Sequence, residues 1–327
     1  VTHTRGFRLK PGGGFGVPQG PAERGLSVSG GVIAIFGPTA SGKSAVAAAL
    51  ARRIPAEVVS ADAMQLYRGL PILTNQSEPP ERLVAIWPLD HEGSVGEYAA
   101  LAHREIDAIL AAGRTPVVVG GTGLYLRAAL AELCLPPALP PGERERWERL
   151  YDEEGPLAAQ AELRRRDPRA AERVHPNDRR RVVRALELAA VGASLVPDRD
   201  RLWTASTRHP TLVVGLDVLP AELARRIEER TRAMFERGVV AEVRSALATG
   251  RLSRTAEKTL GLRELAELDA EAARERIVVR TRRYAAYQRK WMRRIRGIVI
   301  IDGDRPPEEV ADAILEVARA RELVPRR

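Results

Sequence analysis

The chain has 327 residues, 44% of them hydrophobic and 29% charged, a balance that fits a water-soluble globular protein and excludes a collagenous or wholly disordered chain. No uninterrupted apolar run is long enough to span a bilayer, no signal-type stretch opens the chain, and a single cysteine, Cys134, excludes an intramolecular disulfide or a Cys-rich zinc site; a cytoplasmic, monomeric protein with no membrane contact and no obligate protein partner is the default expectation. The net charge of +9 favours a polyanionic partner, although with only four lysines (Lys10, Lys43, Lys258, Lys290) almost all the excess is arginine, which the base composition of a genome could also produce.

Residues 1–30 are rich in Gly, Pro and polar residues without periodicity and read as a disordered extension outside the fold. Val32 to Phe36 is a short apolar run of the buried parallel-strand kind, followed by a Gly-rich turn and an Ala-rich helix from Ser44 to Arg53. Ala56 to Ala61 reads as a second strand ending at Asp62, Tyr98 to Ala112 as a helix closed by Gly113, and Pro116 to Val119 as a third strand that turns through Gly120-Gly121-Thr122-Gly123 into another helix. Strand alternating with helix is the signature of a doubly wound parallel sheet.

Pro136 to Pro141 breaks that alternation, and from Gly142 to about Ala193 the pattern is charged helix without strand, including the triplets Arg164-Arg165-Arg166 and Arg179-Arg180-Arg181. A strand returns at Thr211 to Leu216, then helices over Pro220–Arg237, Val239–Thr249 and Glu271–Arg296, a last strand at Ile298 to Ile301 and a last helix over Pro307–Ala320. The expected class is an α/β fold: a P-loop NTPase-like parallel sheet flanked by helices, with an all-helical insertion domain. Residues 31–139 form the first part of the core, 140–204 the insertion, and 205–327 the rest of the core with the C-terminal helices.

The strongest local signal is Gly37-Pro38-Thr39-Ala40-Ser41-Gly42-Lys43-Ser44, which fits G-x-x-x-x-G-K-[ST] between a predicted strand and a predicted helix. Its amides and the helix N-terminus suit phosphate oxygens, Lys43 adds a mobile cation, and Ser44 is a candidate ligand of Mg²⁺. The motif implies a diphosphate or triphosphate but does not single out ATP. Asp62 ends a parallel strand and faces the same crevice, as a Mg²⁺-holding or proton-accepting carboxylate or as the N-cap of the next segment. Thr122 follows the third strand between glycines, which would let backbone and hydroxyl approach a ligand, or merely form a turn. No second acid stands after the third strand, where many P-loop NTPases keep one; this disfavours an NTP-hydrolysing motor and leaves a small-molecule kinase open.

Six blocks in order resemble the tRNA dimethylallyltransferase family: GPTASGKS from Gly37, SADAMQLYRG from Ser60, GGTGLYL from Gly120, HPNDRRRVVRALEL from His175, IEERTRAMFERG from Ile227 and TRRYAAYQRKW from Thr281. The resemblance implies that the P-loop, Gly37 to Ser44, grips the diphosphate of dimethylallyl diphosphate without phosphoryl transfer. It also implies that Asp62 is the general base toward the exocyclic amine of an adenosine beside the tRNA anticodon, that Thr122 sits beside the reacting carbon, and that Arg230 neutralises the departing diphosphate. By itself Arg230 would read as part of a solvated helix face. Asp62, Ala63, Met64, Gln65, Thr122, Arg144, Arg181, Arg184, Gln288 and Trp291 match places of tRNA contact. Departures from the family pattern stand at Leu73 and Gln76, where a glycine and a lysine are usual, at Leu262 for a tyrosine, and at Ala286-Tyr287 for a Lys-Arg pair. The competing readings are an isopentenyltransferase acting on free adenine nucleotides, a P-loop small-molecule kinase, and a non-catalytic RNA-binding protein.

Overall fold

The computed structural model describes residues 30–133, 142–196 and 204–325; the N-terminal extension, apart from Gly30, and Pro136 to Pro141 lie outside the described residues. The sequence enters the fold at strand β1 (Val32–Phe36), and helix α1 (Lys43–Arg53) leads to β2 (Ala56–Ser60). A short helix α2 (Pro71–Thr74) and a long α3 (Val95–Ala111) precede β3 (Thr115–Gly120) and α4 (Gly123–Leu130). Helices α5 (Glu143–Arg166), α6 (Pro168–Arg173) and α7 (Arg179–Ala190) follow, then β4 (Thr211–Asp217), α8 (Pro220–Glu236), α9 (Val239–Ala248), α10 (Leu262–Glu267), α11 (Ala270–Met292), β5 (Val299–Asp302) and α12 (Pro307–Ala320).

The five strands form one parallel sheet in the order β2-β3-β1-β4-β5. Strand β1 is central, which explains its unbroken apolar run: both of its faces are covered. Ile33 and Ile35 point into a core shared with α1 and α12, among Leu50, Val214 and Ile314. Val32, Ala34 and Phe36 point the other way, among Tyr98, Ile106 and Leu126 of α3 and α4. Each such side chain contributes on the order of 1.5–3 kcal/mol by burial. The carboxyl ends of β1, β2 and β3 thereby deliver the P-loop, Asp62 and the Gly120–Gly123 turn to one edge of the sheet.

Between residues 143 and 190 the chain is helical, and α5, α6 and α7 pack around Trp147, Leu163, Val182 and Leu186. Helix α5 is kinked where Gly155 takes a φ of 87° ahead of Pro156. Asp167 and Asp178 cap α6 and α7 by accepting from the Ala170 and Arg181 amides at 3.0 and 3.2 Å. The sequence expectation for α3 starts three residues late: Ser94 accepts from the Glu97 amide at 3.1 Å, so the helix opens at Val95 with a serine N-cap. Helix α11 ends at Met292, short of the expected Arg296. Helices α2 and α10 were not expected; the first has four residues and is capped from outside, its Ile72 and Leu73 amides donating to the Glu242 carboxylate of α9 at 2.7 and 2.8 Å.

Candidate active site

The turn after β1 is a concave cradle. Ala40 and Gly42 take φ of 63° and 87°, the left-handed backbone that curls the loop, and Gly42 is the N-cap of α1. The Lys43 Nζ donates to the Pro38 carbonyl at 2.7 Å and so lies folded over the loop. Burial pulls its pKa down to about 8; the Asp62 charge raises it and Arg230 lowers it further. The Ser41 hydroxyl is buried inside the loop without a partner, and Ser44 stands exposed at its rim.

Arg230 reaches the cradle from α8. Its Nη1 donates to the Thr39 Oγ1 at 2.6 Å, and burial depresses its pKa while Asp62 opposes that shift. Neither Lys43 nor Arg230 has an ion pair among the described residues. The neighbouring Arg226 does: it is tied to Glu222 at 2.6 Å and Asp304 at 3.3 Å. Two partly buried cations and one acid thus gather around the loop.

The cradle opens on a cavity of about 330 Å³ lined by the P-loop, Asp62, Gln65, Arg230, Tyr284 and Gln288. A larger cavity of about 920 Å³ shares Thr39, Asp62, Thr74, Arg230 and Tyr284 with it, and runs on past Met64, Leu73, Ile227, Met234 and Leu260 toward charged residues of α10 and α11. The two make one channel with a cationic end and an apolar middle. Asp62 sits on the shared wall, where its Oδ1 accepts from the Met64 amide at 2.9 Å. That bond is a local turn, not a helix cap, and leaves the other carboxylate oxygen uncommitted. Asp62 is the one carboxylate lining the phosphate end, and no group of three or more His, Cys, Asp or Glu fit for a metal occurs among the described residues. Any Mg²⁺ here would therefore rest on Ser44 and on ligand oxygens, a donor set that suits an ion that keeps its own waters.

The glycines after β3 have a different reason from the one expected. A Cβ on Gly120 would come within 2.3 Å of the Ala61 carbonyl oxygen, one on Gly121 within 2.2 Å of the Gln288 Nε2, and one on Gly123 within 2.1 Å of the Trp291 ring. The close approaches are made by the protein, not reserved for a ligand. Gln288, only 2% exposed, accepts from the Thr39 amide at 2.8 Å and donates to the Gly121 carbonyl at 2.9 Å. Its amide is engaged inside the protein, so Gln288 braces the P-loop against the β3–α4 turn, and the Trp291 ring packs against Gly123 of the same turn.

The other residues matched to tRNA contact fall in different places. Ala63 is buried in the core, turned away from the channel. Gln65 lines the cradle but accepts from the Ser60 hydroxyl at 2.9 Å and donates to the Thr74 and Asn75 carbonyls at 3.2 and 2.9 Å, which makes it a second brace. Met64 does line the channel. Thr122 sits at the head of α4 with its Oγ1 3.4 Å from the Tyr284 hydroxyl. Arg144, Arg181 and Arg184 lie on the helical insertion, away from the cavity walls, with Glu148, Asp178 and Glu187 as their acidic neighbours.

Tyr284 and Lys258 are among the lining residues that the sequence does not mark as functional. Tyr284 lines both cavities; Lys258 lines the larger, and after burial the charges of Arg180 and Arg144 lower its pKa, which places the arginine-rich insertion beside the channel. At the departures, Leu73 is buried against Gly261, Gln76 donates to the Tyr67 carbonyl at 2.7 Å, Leu262 is buried, and Ala286 and Tyr287 are exposed. None of these five lines the phosphate end.

Fold and site together define an α/β protein with a P-loop-like fold whose cradle continues into a channel. The IPP transferase family model matches residues 65–295, and an isopentenyl transferase model matches residues 30–81. A tRNA dimethylallyltransferase of Acidothermus cellulolyticus is 40% identical over 309 residues, 89% of this chain and 93% of that protein. One of Nocardia farcinica is 41% identical over 287 residues, 84% and 91% of the two chains. The crystal structure of a tRNA isopentenylpyrophosphate transferase from Bacillus halodurans superposes with a TM-score of 0.64 at 29% identity, covering 90% of this chain and 96% of that one. The chain belongs to the IPP transferase family, the tRNA dimethylallyltransferases.

Proposed function

We propose that the chain transfers the dimethylallyl group of dimethylallyl diphosphate to the exocyclic amine of the adenosine next to the anticodon in tRNA, releasing diphosphate. The observation that carries this reading is the continuity of the cradle with an apolar channel, with Asp62 on the wall they share. A phosphoryl-transfer enzyme needs its acceptor at the terminal phosphate. An allylic transferase needs an apolar chamber beyond the phosphates for the carbon skeleton and the incoming base.

The loop amides, Lys43 and Arg230 hold the diphosphate and take up the charge that grows on it as the allylic carbon–oxygen bond breaks. Ser44 would hold a Mg²⁺ ion, which would supply further stabilisation of the charge on the diphosphate. Asp62 accepts the proton of the attacking amine, a weak nucleophile that gains most from a positioned base. The target adenine leaves its stack to enter the channel, as bases do in other enzymes that modify them, and Thr122 stands beside the reacting centre. The arginines of the insertion meet loop and stem phosphates. Action on tRNA and the absence of a membrane-spanning helix among the described residues fit a cytoplasmic enzyme.

Labelled donor offered with tRNA, with AMP and with ATP alone tests the reading. Label appearing in tRNA is the expected outcome. Label in AMP points to a free-nucleotide acceptor, and ATP turnover without isoprenoid transfer points to a kinase-like activity; either result overturns the proposal.

A further inference from the structure

Tyr284 belongs to none of the roles above, yet it is the aromatic side chain on the boundary between the two cavities. Three constraints meet at its hydroxyl. The Thr122 Oγ1 lies 3.4 Å away, a long contact compared with the roughly 2.7–2.8 Å usual between hydroxyls. Burial raises the phenol pKa to about 12 with the Asp62 charge adding to the shift, so the group is a neutral donor throughout the working range. Gln288, which shifts the phenol weakly the other way, has its Oε1 engaged by the Thr39 amide at 2.8 Å and its Nε2 on the Gly121 carbonyl at 2.9 Å, so the phenol hydrogen is left to give. Two hydroxyls that share one hydrogen bond always keep a second hydrogen free. The Tyr284–Thr122 pair holds that hydrogen where the phosphate end of the channel gives way to its apolar part.

We infer that Tyr284 is a further catalytic residue of the transfer, its hydroxyl donating a hydrogen bond to the diphosphate oxygen from which the allylic carbon departs. This rests on the transferase reading of the site. In the step assisted, the allylic carbon–oxygen bond breaks with its electron pair left on oxygen, the carbon–nitrogen bond forms, and the amine proton goes to Asp62; Tyr284 transfers no proton. The esterified oxygen of the donor is a poor acceptor and the freed oxygen of the product is a good one. The hydrogen bond therefore strengthens as the reaction proceeds, which is the condition for raising turnover rather than substrate affinity.

The experiment compares the parent protein with Tyr284→Phe and Tyr284→Leu, following isoprenoid transfer to tRNA, the donor KM and inhibition by inorganic diphosphate. Loss of one preorganised donor should lower kcat by about ten- to a hundredfold, at or below the usual cost of an oxyanion donor. The donor KM should change by less than about threefold while the inhibition constant for diphosphate rises by about tenfold. Both variants should behave alike, since both lack the hydroxyl and only one lacks the ring; Phe preserves the packing if Leu does not. A Phe variant as active as the parent overturns the inference and leaves the transferase reading standing. Donor and diphosphate weakened equally also overturn it, because that is the mark of a wall that merely shapes the site. A parent protein that labels no tRNA overturns the transferase reading itself, and this inference with it.

Discussion

In the phosphate cradle Lys43 and Arg230 stand without an acidic partner among the described residues, whereas on the helical insertion Arg179 is held by Asp152 at 2.5 Å, Arg165 by Glu162 at 2.8 Å and Arg144 by Glu148 at 3.0 Å. The two regions use the same kind of charge in opposite ways. A cation buried without a counter-ion is disfavoured, as the lowered pKa values of Lys43 and Arg230 record, and the disfavour is removed when a polyanion binds. An exposed arginine beside a glutamate is already solvated and partly neutralised, and opening such a pair costs little. The first arrangement concentrates affinity at one point. The second spreads a weak, exchangeable attraction over a surface.

The largest expected effect lies at Asp62, the carboxylate that the described residues place beside those cations. Asp62→Asn keeps the size and the turn bond to the Met64 amide but cannot accept a proton. Turnover should fall about a hundred- to ten-thousandfold, with donor and tRNA affinities changed less than about tenfold. A neutral substitution would reduce Asp62 to its turn, and a binding defect eased by added Mg²⁺ would make it a metal organiser. Next comes Arg230→Ala, which removes a charge-assisted contact of about 1.5–3 kcal/mol, roughly ten- to 150-fold in donor affinity or turnover. Binding of tRNA in a gel assay should be largely kept; equal loss of donor and tRNA would show that the cradle and the insertion surface are not separate.

The contrast between the regions was only half legible in the sequence. The motif from Gly37 to Ser44 and the both-sides-buried run of β1 are local patterns, and strand, turn and helix followed where the spacing put them. The arginine triplets were equally visible, but their pairing was not, because Asp152 and Arg179 meet only after α5 and α7 pack. Helix α2 was illegible for the same reason: four residues cannot sustain a helix, and Glu242, far along the chain, supplies the cap. The glycines at 120, 121 and 123 are open in the sequence to a ligand's approach or to an ordinary turn, and Gln288 to a tRNA contact. Their spacing records a need for close approach and cannot say which partner approaches. Tyr284 has only ordinary helical spacing in the sequence, since it is the packing of α11 against α4 and α8 that puts its hydroxyl beside Thr122.

A smaller effect should appear in the pH dependence of the cradle. Lys43 titrates near 8 in the free protein, and a bound polyanion favours its charged form. Below that pH the lysine is already protonated, and affinity for inorganic diphosphate should not depend on this group. Above it, binding must first protonate the amine, so affinity should fall as pH rises and calorimetry should detect proton uptake from buffer. Lys43→Met should bind weakly at every pH and lose both the slope and the uptake. Uptake that persists in that variant would assign it to another group.

The smallest effect is the one that best separates the two uses of charge. Within the triplet Arg179-Arg180-Arg181, Arg179 is held by Asp152 and lies 3.6 Å from Glu148, and Arg181 has Asp178 at 3.7 Å. Arg180 has no ion pair among the described residues, and its charge helps to lower the pKa of Lys258 on the channel wall. If the insertion reads tRNA through phosphates, a contact made by Arg180 replaces condensed counter-ions. One made by Arg179 first has to compete with carboxylates that already neutralise it. Arg180→Ala should therefore flatten the log–log dependence of tRNA affinity on salt by somewhat under one unit, and Arg179→Ala by much less. The slope is the quantity to compare, because removing Arg179 frees two acids that repel phosphate and weaken binding without any lost contact. Equal slopes for the two variants would mean that pairing in the free protein does not decide which arginines meet the phosphates. A slope unchanged by either would return the whole triplet to a solvated face.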